Sequence, residues 1–290
     1  MNKQISIFIM DVSGSSNDPK FGEELETYLQ DLTSWVQSWS KNILNLKITT
    51  RMGDEVMLMS ENYAAAYMIA SYISRIWKFK NHKPYFGLSF GNINKDIEDI
   101  NLDTWIHPLV KQARIANNEI KKIKDNRPLF RFKLDNNVSN TTLMNLLKTE
   151  PSGNLFSVFE TLINTLIETQ NLYFIRQTKL QELITTLQLI LEKQRDIARL
   201  LKKSPSTISS HLNKADGFEV IKSFQRTIEA LTSFQVTTLR LESITSSQAD
   251  SEIEYVLKQH NPYKTIEQLD KQIKAHIKKN IHNFFDLTIS

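Results

Sequence analysis

Asp11 and Asp54 are the side chains of this sequence best suited to chemistry. Asp11 stands at the end of an apolar run, residues 5–12, with the turn formers Ser13, Gly14, Ser15 and Ser16 behind it; Asp54 follows Gly53 in a dipeptide of the kind that makes a two-residue hairpin turn. Two hard oxygen donors converging at one end of a sheet suit Mg²⁺ or Mn²⁺, held otherwise by substrate phosphates and water, and such an ion neutralises charge developing in phosphoryl or nucleotidyl transfer. Backbone amides from Val12 to Ser15 are candidate phosphate donors beside it. The plainer reading makes Asp11 a cap and Asp54 a turn acid. Other chemistries are restricted. With no cysteine, disulfides, thiolate catalysis and cysteine-ligated zinc or iron–sulfur sites are excluded, and the 6 histidines are scattered without metalloprotease spacing.

A second chemistry is electrostatic. The formal charge of +4, from 36 basic and 32 acidic residues, is too small to imply nucleic acid, so its distribution matters. Between Lys193 and Lys214 lie Arg195, Arg199, Lys202 and Lys203, against Asp196 alone. The spacing predicts two short helices within residues 194–214. Ile197, Ala198 and Leu201 form the inner face of the first; Ser204 caps the second, Pro205 suits its first turn, and Ile208 and Leu212 anchor it at i, i+4. Thr207, Ser209, Ser210 and His211, with Ser206 at the start of the helix, are then expected to face outward, where short polar groups read base edges while Arg195, Lys202, Lys203 and Lys214 meet phosphates. This passage resembles helix-turn-helix segments of bacterial regulators, with Lys202 where glycine is usual and Lys203 where an apolar residue is usual. The competing reading is a helical hairpin with a basic solvated face.

The elements that must position these residues follow from periodicity. Strands are expected at residues 5–12, 44–48, 56–59, 85–90 and 129–134, with helices near 21–36, 63–77 and 104–123 between them. The order βαββαβ with an appended αβ predicts an α+β class with a ferredoxin-like first domain, in which the strands bearing Asp11 and Asp54 are expected side by side at the centre. The turn formers of residues 149–154 mark a boundary between domains 1–150 and 155–290, and after it helical periodicity dominates, with helices expected at 220–231, 253–258 and 266–285. The lysine-rich last helix reads as a solvated amphipathic face. Hydrophobic residues at 40% without a spanning-length apolar run exclude an integral helical membrane protein, and the short N-terminal apolar run lacks a cleavage site, so a cytoplasmic protein is expected.

Three passages, Ile7 to Gly14, Arg51 to Met57 and Tyr85 to Gly91, resemble the central motifs of class III nucleotide cyclases. The resemblance implies that Asp11 and Asp54 are metal ligands, that Ser13 and Gly14 lie against a nucleotide, that Asp103 reads a base and that Arg114 is a transition-state arginine. Two departures stand out: the family's transition-state asparagine falls at Val110 and its base-reading lysine at Thr50. Binding without the positioning that supplies most of the rate is the expected consequence. Residues Asp11 to Ser15 also match D-x-S-x-S, the first metal motif of von Willebrand factor A domains, but the Gly53-Asp54 hairpin breaks the strand–helix alternation which that fold needs. The whole chain is similar to the SatD family in joining a cyclase-like half to a helix-turn-helix half. The function expected is a DNA-binding transcriptional regulator with a degenerate, ligand-binding cyclase-like domain; the alternatives are an active nucleotidyl-transfer enzyme and an interaction protein using neither site. Partners expected are duplex DNA, a nucleoside phosphate with Mg²⁺ or Mn²⁺ and a second copy of the chain, with no membrane.

Overall fold

The architecture comes from a computed structural model that describes residues 3–14, 19–51, 54–135, 155–246 and 261–288. β1 (Lys3–Val12) is apolar along most of its length because both of its faces are covered. Phe8, Met10 and Val12 face one side, where α1 (Pro19–Ser40) and α2 (Ala65–Ile76) pack; Ile5, Ile7 and Ile9 face the other, against α3 (Pro108–Lys122). With β2 (Leu46–Arg51), β3 (Glu55–Glu61), β4 (Pro84–Ile93) and β5 (Phe130–Phe132), β1 forms a five-stranded sheet in the order β2-β3-β1-β4-β5. Neighbours are antiparallel except β4 and β5, which run parallel through the α3 crossover. The chain is thus α+β.

One expectation about the sheet is corrected. β1 and β2 are not adjacent; β3 lies between them, because the tight turn after β2 folds β3 back into the gap left by the β1–α1–β2 crossover. Asp11 and Asp54 nevertheless reach the same end of the sheet, since the β1–β3 ladder ends with Met10 opposite Val56, one residue from Asp11 and two from Asp54. α3 also starts later than the periodicity predicts. Pro108 is its first residue, His107 before it is extended as pre-proline residues prefer, and the His107 ring accepts from the Leu109 amide as a cap.

The remaining described chain is helical: α4 (Leu155–Phe174), α5 (Lys179–Leu191), α6 (Gln194–Leu200), α7 (Pro205–Lys214), α8 (Gly217–Ser246), α9 (Pro262–Lys279) and α10 (Ile281–Phe284). The expected boundary at residues 149–154 and the expected helix at 253–258 lie outside the described residues. The helices pack on the α1/α2 side of the sheet, where one apolar cluster joins Phe86 and Phe90 to Phe156, Phe224 and Leu269. Hydrogen bonds cross the same contact. Tyr67 donates to Gln170 Oε1 at 3.1 Å, Tyr72 to Asp270 Oδ1 at 2.5 Å, and the Tyr63 amide to Gln235 Oε1 at 2.9 Å. A second helical cluster, around Leu187, Ile197, Ile208 and Leu212, is built by α5, α6 and α7 and closed by Ile281 of α10.

Candidate nucleic-acid interface and the sheet-end carboxylates

α6 and α7 are two short helices joined by residues 201–204, and each sits where its sequence pattern places it. Ile197, Ala198, Leu201, Ile208 and Leu212 are buried. Ser204 Oγ accepts from the Thr207 amide at 3.1 Å and Pro205 occupies the first turn, so the N-terminus of α7 is capped as expected. α6 ends in a left-handed residue: Lys202 has φ 52°, the Lys203 amide donates to Ala198 O at 2.9 Å and the Lys202 amide to Arg199 O at 3.4 Å. That six-to-one and five-to-two pair is the Schellman closure, whose left-handed position favours glycine.

The outward face is mostly, not wholly, the expected one. Ser206 and Ser210 are exposed and Thr207 and Ser209 half-buried. His211 departs from the expectation: it is half-buried, and its Nδ1 is buried without a hydrogen-bond partner, because a residue three after Ile208 and one before Leu212 turns partly towards the cluster those two anchor. Arg195, Lys202 and Lys214 are exposed and Lys203 half-buried, and none of the four is ion-paired among the described residues, whereas Arg199 meets Asp196 at 3.7 Å. Behind them α9 is a packed helix that buries Ile266, Leu269, Ile273 and Ile277 and leaves Lys278 and Lys279 exposed. Lys274 ties it to the start of α6 through Glu192 at 2.9 Å. The hydrogen bond and charge of Lys274, with smaller contributions from Lys278 and Lys193, hold the Glu192 carboxyl below its ordinary range.

At the sheet end three acids each face a base. The Asp11 carboxylate accepts from Lys121, Glu55 Oε1 accepts from Arg114 Nη2 at 2.9 Å, and Asp103 Oδ1 lies 3.6 Å from Arg51 Nε and 3.4 Å from Thr49 Oγ1. α3 delivers two of the cations because it lies directly on the sheet. A Cβ added to Gly87 would sit 2.0 Å from Ala113 O, and Asn117, buried, donates from Nδ2 to Ile9 O at 3.0 Å and Tyr85 O at 3.1 Å. Arg114, Asn117 and Lys121 follow at i, i+3 and i+7 on that helix face. Glu55 and Lys121 escaped the sequence reading, although the two-turn step from Arg114 to Lys121 was there to be read. Arg51 escaped it too, and its Nε and Nη2 are buried without hydrogen bonds.

Ser13 and Gly14 form the turn after β1. The Ser13 amide already donates to Lys83 O at 3.2 Å, its carbonyl meets His82 Nδ1 at 2.8 Å, and Gly14 takes φ 69°, so one of the expected phosphate donors is used within the fold; Ser15 lies outside the described residues. Val110 is buried in the apolar cluster under α3 and Thr50 pairs with Val56 on the edge hairpin, so neither replaces the polar group that the cyclase resemblance calls for. For a divalent ion the donor chemistry fits in kind, as Asp11 and Asp54 share one sheet end, but Lys121 already compensates Asp11 and must give way to any ion there. No group of three or more metal-ligating side chains is gathered among the described residues. Alongside runs an open groove of about 440 Å³ between β2 and residues 98–103, lined by Lys47, Thr49, Glu98 and Asp103.

No helix among the described residues is long and apolar enough to cross a membrane. Comparison with protein-family models, with curated proteins and with solved structures gives no match to this chain.

Proposed function

We propose that this protein is a DNA-binding transcriptional regulator, with α7 as the recognition helix in the major groove and the sheet half as a ferredoxin-like, cyclase-derived module that binds a nucleoside phosphate without turning it over. The observation that carries the reading is the unpaired cationic rim, Arg195, Lys202, Lys203 and Lys214, around a capped helix whose exposed side chains are short hydroxyls. Phosphate contacts position such a helix, and hydroxyls near base edges select sequence. The strand order β2-β3-β1-β4 supports a ferredoxin-like frame, and the joining of the two halves supports the SatD resemblance.

For the sheet half, Asp11 and Asp54 would hold Mg²⁺ or Mn²⁺, which supplies charge neutralisation to bound phosphates. Arg114 would face the phosphates once released from Glu55, and Asp103, on the groove wall, would face the base. Val110 presents no polar atom to a ribose, and an unpositioned ribose hydroxyl forfeits about 7–11 kcal/mol of orientation advantage.

The test is selection of bound sequences from random duplex DNA with the full chain, followed by Ser206→Ala with Ser210→Ala. A defined motif that changes in the variant, while non-specific binding persists, is expected. No enrichment, or an unchanged motif, refutes the recognition role. Calorimetry with a non-hydrolysable triphosphate and Mn²⁺ tests the other half: binding that Asp11→Asn and Asp54→Asn weaken is expected, and cyclic product from ATP or GTP would make the protein an enzyme instead.

A further inference from the structure

α4 has two faces of different character. One is buried under the sheet, with Phe156, Ile163, Ile167 and Gln170 inside. The other carries Val158, Leu162, Thr165, Thr169 and Leu172, spaced 4, 3, 4 and 3, the seam period of paired helices. Val158, Leu162 and Leu172 are 54%, 59% and 47% exposed, and Thr165 and Thr169 are exposed between them. Those two threonines need nothing from water: Thr165 Oγ1 donates to Thr161 O and Thr169 Oγ1 to Thr165 O, each at 2.8 Å, which turns their methyl groups outward. Charge is missing as well. The two charged residues of α4, Glu160 and Glu168, are drawn to bases of the sheet side, Lys133 at 2.8 Å and Arg131 at 3.4 Å. A solvated helix face ordinarily carries charge, and this one carries a hydrophobic stripe along a helix about 30 Å long.

We propose that this stripe is a homodimer seam, with two copies of α4 packed antiparallel and Thr165 of each copy on the twofold axis. The occupant is read from the stripe's own symmetry. About Thr165, Leu172 of one copy faces Val158 of the other and Thr169 faces Leu162, so each end meets an apolar partner and no like charges meet. A closed twofold contact uses one self-complementary patch, which this is. The stripe then continues past Leu172 into exposed Ile175 and Phe218, beside the end of α7, where Gln177 Nε2 donates to Ala215 O at 2.8 Å. Gln177 is twelve residues beyond Thr165, about 18 Å along the helix direction, so the twofold separates the two α7 ends by about 36 Å along the seam. Successive major-groove half-sites are about 34–36 Å apart. Only this spacing step rests on the proposed DNA reading; the seam does not.

The chain has no cysteine, so Thr165→Cys introduces a single thiol that meets its own copy across the axis. Oxidised glutathione should convert the full-length variant to a disulfide-linked dimer, while Thr27→Cys, exposed on α1, stays monomeric under the same treatment. In sedimentation velocity at micromolar concentration the parent should run at twice the chain mass, and Leu162→Glu, on an exposed site, should halve it with unchanged circular dichroism and melting temperature. A monomeric parent, a Leu162→Glu variant that remains a dimer, or cross-linking no better at Thr165 than at Thr27 overturns the seam. A dimer indifferent to DNA keeps the seam and sinks the regulator reading; a monomer that selects a motif does the reverse.

Discussion

Lys202 offers a test in which backbone and charge separate. Its φ of 52° places an ordinary L-residue in the left-handed position that closes α6. That conformation costs about 1–2 kcal/mol for a residue with a Cβ, and glycine returns about 0.5–1 kcal/mol of the relief through its greater freedom when unfolded. Lys202→Gly is therefore expected to stabilise the protein by about 0.5–1 kcal/mol, which in a chain of this size raises the melting temperature by about 1–3 °C. Lys202→Ala keeps the backbone cost and gains nothing. Both variants lose the same ammonium, so both should flatten the slope of log affinity for duplex DNA against log salt by about 0.9 per phosphate contact. Differential scanning calorimetry and fluorescence anisotropy at a series of salt concentrations read the two effects independently. If the glycine variant melts no higher than the alanine variant, the strained closure is wrong; if the salt slopes of the two variants differ or neither moves, Lys202 touches no phosphate.

Two further outcomes follow from the packing. Gly87→Ala should lower stability by about 1–3 kcal/mol or more, because its Cβ would collide with Ala113 O and the Asn117 amide, both backbone atoms, and α3 must lift off β4; an unchanged melting temperature would mean α3 does not lie there. Stability should also fall as pH drops from about 7 towards 5, since burial, aided by Lys279, holds the His276 pKa below its ordinary value beside Trp35, Trp39 and Phe284, and burial lowers His107 likewise. The unfolded chain then binds the proton first, so stability is full above the unfolded histidine pKa and declines below it; His276→Gln should flatten part of that decline, and an identical pH profile in the variant refutes the assignment.

What the sequence determined by itself is what short-range physics decides. The cap at Ser204, the anchors Ile208 and Leu212, and the left-handed demand at Lys202 are set within one or two helical turns, and each was legible as a residue type at a fixed offset. The continuous apolar run of β1 likewise announced a strand covered on both faces. Only the tertiary structure decided which distant groups meet. Periodicity says that β3 follows β2 through a tight turn, but not that β3 enters between β1 and β2; that depends on which gap the α1 crossover leaves. Lys121 and Glu55 became part of the sheet-end site because Gly87 and Asn117 seat α3 against β4, a contact between residues 30 positions apart, the separation from Gly87 to Asn117. His211 looked outward by spacing, yet the cluster closed by Ile281 takes it half inside. In α4 the 3.5-residue stripe is plain in the sequence, while the choice of which apolar face is buried and which is left in water belongs to the sheet it packs against, since hydrophobic burial is non-directional and its sites are allotted by the whole fold.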